Sequence, residues 1–394
     1  MTLRVLQVIE TGGPGGAETV FASLSEGLAS RGHAVHCMSG MGTWLPDELL
    51  RRQLKLDLLE FRGAFDVPLF AKIQRAIDRY RVDVVHAHLF DGAVYAAAAA
   101  RMRGVPCVVT LHGQVDVRAA GWKGAIKRRT LLWCAHSIVA VSGALKREFA
   151  ETFGSAASHF RVIHNGVALS EICSPPLSSQ KTGATAGTPN APWQLVAVGN
   201  IRAPKGYPYL LEAMAVLRQR GYVAHLDIVG EPDREGLFNE LQSQVRALGI
   251  EGLVQFRGFI ERPAPLIMSS DALVLASTKE GFSLVTIEAM HVGTPVIATR
   301  SGGPEEILED GLTGFLVTPG SAEALADGIV RALGAPEYTA GLVSRAQSEA
   351  KRRFGLGSMV EAYEELYYQA VKRERQVPPA ASARTTTRRS SSDT

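Results

Sequence analysis

The chain has 394 residues, too many for one ordinary hydrophobic core, and so predicts two domains of similar size. With 46% hydrophobic and 21% charged residues it reads as a soluble globular protein, and a net charge of only +3 does not argue for nucleic acid as the main partner, so none is expected. No stretch approaches the ~20 apolar residues of a membrane span, since Gly92–Ala100 is cut by Arg101 and Arg103. Cys37, Cys107, Cys134 and Cys173 form no CxxC pair, and Met1–Ile9 is too short for a signal segment. Reduced core thiols in a cytoplasmic protein are the expectation.

Strand and helix patterns then alternate along the chain. Arg4–Ile9 reads as a strand, followed by a helix with Val20, Phe21, Leu24 and Leu28 on one face and by a strand at Ala34–Met38. Val82–His86, Val105–Thr110, Ser137–Val141 and Phe160–Ile163 continue the series. Short buried strands joined by helices predict a parallel sheet covered on both faces, here a domain over 1–173. Residues 174–192, rich in Ser, Thr, Gly and Pro, read as a linker. A second series over 193–357 has strands at Trp193–Gly199, His225–Val229, Val254–Phe256, Ala272–Ser277, Thr294–Ala298 and Gly314–Val317. A helix over 358–375, with Met359, Tyr363, Leu366, Tyr367 and Ala370 on one stripe, is expected to pack back on the first domain. Residues 376–394 read as a disordered tail. Two doubly wound parallel-sheet halves place the default binding site in the cleft between them.

The most informative stretch is Glu280-Gly-Phe-Ser-Leu-Val-Thr-Ile-Glu288. If a helix begins near Ser283, Gly281 and Phe282 make the turn, and the free amides of Ser283, Leu284 and Val285 offer a phosphate site at the positive end of the helix dipole. Glu280 in the loop and Glu288 on the second turn then flank that phosphate. Each carboxylate suits a vicinal diol, a ribose on one side and a hexose on the other.

This block, followed by A-M-x-x-G-T-P-V-I-A-T from 289 and G-G-P-E-E-I-L-E-D-G-x-T-G-F-L-V from 302, resembles the retaining glycosyltransferases of family 4, which have the two-domain Rossmann-like GT-B fold. The likeness spans nearly the whole chain: Gly12–Glu18, R-G-H at 31–33, V-D-V-V-H-A-H-L at 82–89, T-L-H-G at 110–113, V-S-G at 141–143, V-I-H-N-G-V at 162–167 and K-G-Y-x-Y-L-L-E-A at 205–213. The resemblance implies that Glu288 holds the ribose hydroxyls of a nucleoside diphosphate sugar and that Glu280 contacts the donor sugar near the reacting carbon. It gives the diphosphate to the 283–285 amides and the base to Gly258, Phe259 and Ile260, with UDP or GDP favoured over ADP. Lys205 and Arg202 are the implied cations for the leaving diphosphate. The family pattern has arginine directly after Gly199, and this chain has Asn200, so Arg202 is the candidate substitute.

In the first domain, Gly13-Pro-Gly15 opens a dinucleotide motif that fails at Glu18, where a third glycine is required. Gly15 and Gly16 are instead expected to approach the donor phosphate through backbone amides. His112 follows a strand, and the resemblance places it against the donor sugar or diphosphate. His86 and His88 share a strand face with no third ligand at a sensible spacing, so they read as packing or cleft-lining groups and no metal site is assigned. No Asp-x-Asp occurs, so cations and a helix terminus are expected to replace a metal ion, and no cofactor beyond the nucleotide-sugar co-substrate is expected.

The acceptor implied by the resemblance is a glycan, a lipid-linked or a small-molecule one. Residues 117–133 carry five basic residues and two tryptophans, which fits either an anionic membrane surface, as in polysaccharide biosynthesis, or a solvated helix whose tryptophans face the core. The competing readings are a GT-B nucleotide-sugar epimerase, a glycosidase using the two glutamates, and an inactive nucleotide-sugar-binding protein.

Overall fold

A computed structural model describes residues 1–62, 66–113, 121–172, 192–233 and 236–376. The expected linker through residue 191, Cys173, residues 117–120 of the basic segment and the tail from 377 lie outside the described residues.

The first half runs β1 (Arg4–Ile9), α1 (Gly16–Ser30), β2 (Ala34–Gly40), α2 (Trp44–Arg51), β3 (Lys55–Leu59), α3 (Val67–Tyr80), β4 (Val84–His88), α4 (Asp91–Met102), β5 (Cys107–Leu111), α5 (Gly121–Cys134), β6 (Ser137–Ala140), α6 (Gly143–Phe153), β7 (Arg161–Val162) and α7 (Leu169–Ile172). Its strands form one parallel sheet in the order β3-β2-β1-β4-β5-β6-β7. The second half runs β8 (Trp193–Val198), α8 (Tyr207–Gln219), β9 (Ala224–Val229), α9 (Leu237–Ala247), β10 (Val254–Gly258), α10 (Ala264–Ser269), β11 (Ala272–Leu275), α11 (Leu284–Val292), β12 (Val296–Thr299), α12 (Pro304–Ile307), β13 (Phe315–Val317), α13 (Ala322–Leu333), α14 (Pro336–Arg353) and α15 (Leu356–Gln376). Its strands are also all parallel, in the order β10-β9-β8-β11-β12-β13.

Buried parallel strands need apolar side chains on both faces, and these sheets have them. In the second half Leu195, Ala197, Leu226, Ile228 and Val274 pack under α8 and α13. The opposite faces of both sheets merge into one apolar cluster that passes from Val85 and Val109 through Leu145 and Phe282 to Leu273 and Ala298. The third cluster lies between the first sheet, α1 and α15, where Met359, Tyr363, Leu366 and Tyr367 are buried. The final helix therefore returns to the first sheet after Gly355 bridges to Val167.

Edge strand β3 was not apparent from the sequence, because Lys55 and Asp57 break any apolar run and most of the strand is partly exposed. Three cysteines, Cys37, Cys107 and Cys134, are buried free thiols, and burial pushes the Cys37 thiol up to about 12.

Candidate active site

The named residues converge at the carboxyl edges of the two sheets, which face each other. Lys205, in the loop after β8, places Nζ 2.7 Å from Glu280 Oε2 in the loop after β11. Ser277 Oγ donates to the same oxygen at 3.2 Å. Gly206 makes this approach possible: its φ is +66°, and a Cβ there would run into the Ala276 carbonyl. The pair is largely buried, with Glu280 at 13% and Lys205 at 27% side-chain exposure, so solvent screens their attraction only in part.

Beside the pair, α11 opens without a side-chain cap. Ser283 stands at the N-cap, yet its Oγ accepts from Thr286 Oγ1 at 2.9 Å instead of turning to the helix amides. The first turn, Leu284 and Val285 with Ser283, thus keeps its positive end open toward the cleft. Glu288 lies on the second turn, partly buried, with no hydrogen bond or ion pair to another described residue. Burial pushes its carboxyl up to about 7.

The first domain closes over this end of α11. Gly281 packs against the His112 carbonyl so tightly that any Cβ would clash with its oxygen, and a Cβ on Gly16 would lie 3.9 Å from Leu284 Cδ1. Gly15 is the N-cap of α1, with Glu18 folded back over it. The His112 ring stacks on His88 at a centroid distance of 5.2 Å, and its Nε2 lies 3.0 Å from His88 Nδ1. Burial lowers the His112 imidazole to about 4. His88 and His86 are fully buried and so belong to the core, not to the cleft lining.

The position after Gly199 differs from the expectation in an instructive way. Asn200 spans the cleft: its Nδ2 donates to the Pro14 carbonyl of the glycine loop at 3.1 Å, and its Oδ1 accepts from the Glu231 amide at 3.0 Å. Arg202 is exposed, and its charge acts on Glu18 across the cleft. Burial raises the Glu18 carboxyl, against the opposing pull of a hydrogen bond from Thr11, of its own amide and of Arg202. Lys205 and Arg202 are therefore not equivalent, since one touches Glu280 and the other faces the glycine loop. At the end of β10, Gly258 has φ +69° and its carbonyl accepts from the Gly230 amide at 2.9 Å, while Phe259 is exposed and Ile260 partly buried.

A second cross-cleft contact was not read from the sequence. The Glu306 carboxylate of α12 accepts from the Gly143 amide at 2.9 Å, from the Ala144 amide at 2.5 Å and from His164 Nε2 at 2.9 Å. Burial raises this carboxyl, but the three donors outweigh it and hold it at about 2. In the sequence, Ser142-Gly143 and Pro304-Glu-Glu306 stand out only as two separate motifs of the family resemblance, and nothing in their spacing relates the two. Among the described residues no group of three or more His, Cys, Asp or Glu side chains is placed to hold a metal ion.

Two facing parallel-sheet domains thus bring a cation, its paired carboxylate and an uncapped helix together at the cleft. The profile of Glycosyltransferase Family 4 matches residues 14–171, and that of Glycosyl transferases group 1 matches residues 180–349. The chain is 30% identical to the D-inositol 3-phosphate glycosyltransferase of Arthrobacter sp. over 77% of its own length and 75% of the relative's. It is 27% identical to the N-acetyl-alpha-D-glucosaminyl L-malate synthase of Bacillus anthracis, covering 91% of this chain and 95% of that one. In fold it is similar to Anabaena HepE, crystallised in complex with UDP-glucose, with a TM-score of 0.81 at 24% identity, covering 93% of this chain and 100% of that one. The chain belongs to glycosyltransferase family 4.

Proposed function

We propose that the protein moves a hexose from a nucleoside diphosphate sugar, UDP- or GDP-linked, to a glycan, lipid-linked or small-molecule acceptor with retention of configuration and without a metal ion. The observation that carries this reading is the Lys205–Glu280 pair at 2.7 Å beside the uncapped start of α11, with the unpaired Glu288 one turn further on. The diphosphate rests on the amides of Ser283, Leu284 and Val285. Glu288 accepts from the ribose hydroxyls, and backbone groups of Gly258, Phe259 and Ile260 border the base. Residues 193–357 thus hold the donor, residues 1–173 present the acceptor, and the helix over 358–375 ties the halves together. The UDP-glucose complex of the fold-related HepE supports a nucleotide sugar as donor.

In this scheme the bond from the anomeric carbon to the β-phosphate oxygen breaks, and its electron pair leaves on the phosphate. Lys205, the α11 dipole and Arg202 stabilise that developing charge. The acceptor hydroxyl attacks the anomeric carbon from the leaving-group face and its proton passes to the departing phosphate. Glu280, held by Lys205, orients the sugar hydroxyls, and His112 borders the sugar from the first domain. Gly15 and Gly16 supply backbone contact to the phosphate.

Thermal-shift titration with UDP-glucose, GDP-mannose and ADP-glucose, followed by NMR of the product anomer, tests the scheme. A UDP- or GDP-sugar should stabilise the wild type and fail to stabilise Glu288→Ala. Turnover should continue in EDTA, and an inverted product or no nucleotide-sugar binding would overturn the reading.

The same proposal extends to a peripheral membrane site on the inner membrane face. Trp122 and Trp133 are 64% and 68% exposed, so they do not form the core face weighed from the sequence. With Ile126 they follow helical spacing along one side of α5, next to Lys123 and Arg129. Lys127 is engaged by Asp91 at 2.6 Å and is a poor reporter. Sedimentation with phosphatidylglycerol vesicles should carry down the wild type and leave Trp122→Ala/Trp133→Ala/Arg129→Ala in solution.

A further inference from the structure

His112 is the outer end of a chain of buried hydrogen bonds that continues to the last helix. Gln7, His86, His88 and Thr110 lie on one face of the first sheet, Tyr363 and Tyr367 come from α15 above it, and all six are 0% exposed. His88 Nε2 lies 3.2 Å from Gln7 Oε1, and Gln7 Nε2 donates to the Tyr367 hydroxyl at 3.4 Å. That hydroxyl lies 2.6 Å from His86 Nδ1, His86 Nε2 lies 2.8 Å from Thr110 Oγ1, and Thr110 Oγ1 lies 2.9 Å from the Tyr363 hydroxyl. Polar groups in such a place cost free energy unless each finds a partner.

The chain has a direction. Burial lowers His86, His88 and His112, so each ring is neutral near pH 7 and has one donor and one acceptor nitrogen. Gln7 Oε1 only accepts, so His88 carries its proton on Nε2 and presents a bare Nδ1. His112 must then donate from Nε2, which leaves its Nδ1 as a lone pair. On the other side, Gln7 Nε2 only donates, so Tyr367 accepts there and gives its own proton to His86 Nδ1. In this orientation of the Gln7 amide every member of the chain is satisfied, and loss of the Tyr367 hydroxyl would leave Gln7 Nε2 without its acceptor.

We infer that Tyr367 and Gln7 are positioning residues for the transfer: they fix His112 as its Nε2–H tautomer, so that the ring meets the donor as an acceptor for a sugar hydroxyl and not as a donor to the phosphate. The kinetic part rests on His112 bordering the donor, as proposed above; the tautomer assignment does not. Tyr363 stands at the far end of the chain, and its loss leaves the Gln7–Tyr367 link intact. It therefore serves as the internal control.

The test is 15N NMR of histidine-labelled full-length protein, with the His112 ring signals assigned by their loss in His112→Gln, combined with steady-state kinetics. In the wild type His112 Nδ1 should show the shift of an unprotonated nitrogen. Tyr367→Phe frees the Gln7 amide, so a second tautomer should appear and kcat should fall roughly tenfold with little change in donor KM. Tyr363→Phe, which also removes one buried hydroxyl, should keep a single tautomer and kcat within about twofold. A protonated Nδ1 in the wild type, an unchanged tautomer in Tyr367→Phe, or equal kcat losses in the two variants would overturn the inference. If Tyr367→Phe shifts the tautomer while His112→Gln transfers sugar at the wild-type rate, the positioning chain stands and the donor-site reading of His112 fails.

Discussion

The two sheets share a strand order and a parallel register, yet their buried faces differ. Under α8 and α13 the second sheet offers Leu195, Ala197, Leu226, Ile228 and Val274, and the buried hydroxyl at its strand end, Thr299, donates only to the backbone carbonyls of Leu275 and Ser277. Under α1 and α15 the first sheet alternates Val5 and Ile9 with Gln7, and Val84 with His86 and His88. Since the same fold forms both ways, the polar face of the first sheet is not required by the topology. In the second domain polarity gathers at the strand ends instead, where Lys205, Glu280 and Glu288 stand. One half therefore gathers its polar groups at the rim, and the other runs them through the core to the rim at His112.

Removing the charge at the rim should have the largest effect. Lys205→Ala leaves Glu280 without its cation and the proposed leaving group without its nearest positive charge. Turnover should fall about 10²- to 10³-fold, measured as kcat at saturating donor. A fall confined to donor KM would mean that Lys205 binds the ground state only, and the contrast between rim and core would weaken.

Glu288 gives a smaller effect with a characteristic pH dependence. Its folded carboxyl is raised to about 7 by burial. The folded protein holds that proton more tightly than the unfolded chain, so the group favours folding below the ordinary carboxyl range, and this advantage is lost as pH rises through about 7. Glu288→Gln should flatten that part of the stability profile in calorimetry. Ribose hydroxyls donate best to the ionised form, so wild-type donor affinity should rise with pH through the same range. The variant should bind donor about 10- to 100-fold more weakly, with no such rise.

Glu306 should behave in the opposite sense. Burial opposes its ionisation, but His164 and the amides of Gly143 and Ala144 hold it at about 2. Its contribution is full above the ordinary carboxyl range and disappears as pH falls through about 2. Glu306→Gln should cost about 2 kcal/mol of stability at pH 7, and the gap to wild type should narrow in acid.

Much of this was legible in the sequence. The alternation of strands and helices announced two doubly wound halves, and Glu280-x7-Glu288 with its glycines marked the rim. Edge strand β3 was not, because Lys55 and Asp57 on a half-exposed strand leave no apolar run to read. The Glu306 clasp and the polar chain under α15 were not either, since their members lie up to 360 positions apart and only the closed fold joins them, as it does Gln7 and Tyr367. The histidines at 86 and 88 drew notice as a pair, but their partners come from β1, β5 and the last helix.

Asn200 offers the finest test of rim against core. The family pattern has an arginine at this position, and here a short amide ties Pro14 of the first domain to the Glu231 amide of the second. If the asparagine only joins the halves and Arg202 supplies the charge, the two side chains have separable tasks. Asn200→Ala removes two neutral hydrogen bonds and should cost about 1 to 2 kcal/mol of stability, with kcat changed less than severalfold. Arg202→Ala removes an exposed side chain whose charge acts on Glu18, so stability should hold while kcat falls by about tenfold. Should the effects be reversed, with Asn200→Ala slowing turnover and Arg202→Ala silent, closure of the cleft would be the limiting task at this rim, and the cation for the leaving phosphate would be Lys205 alone.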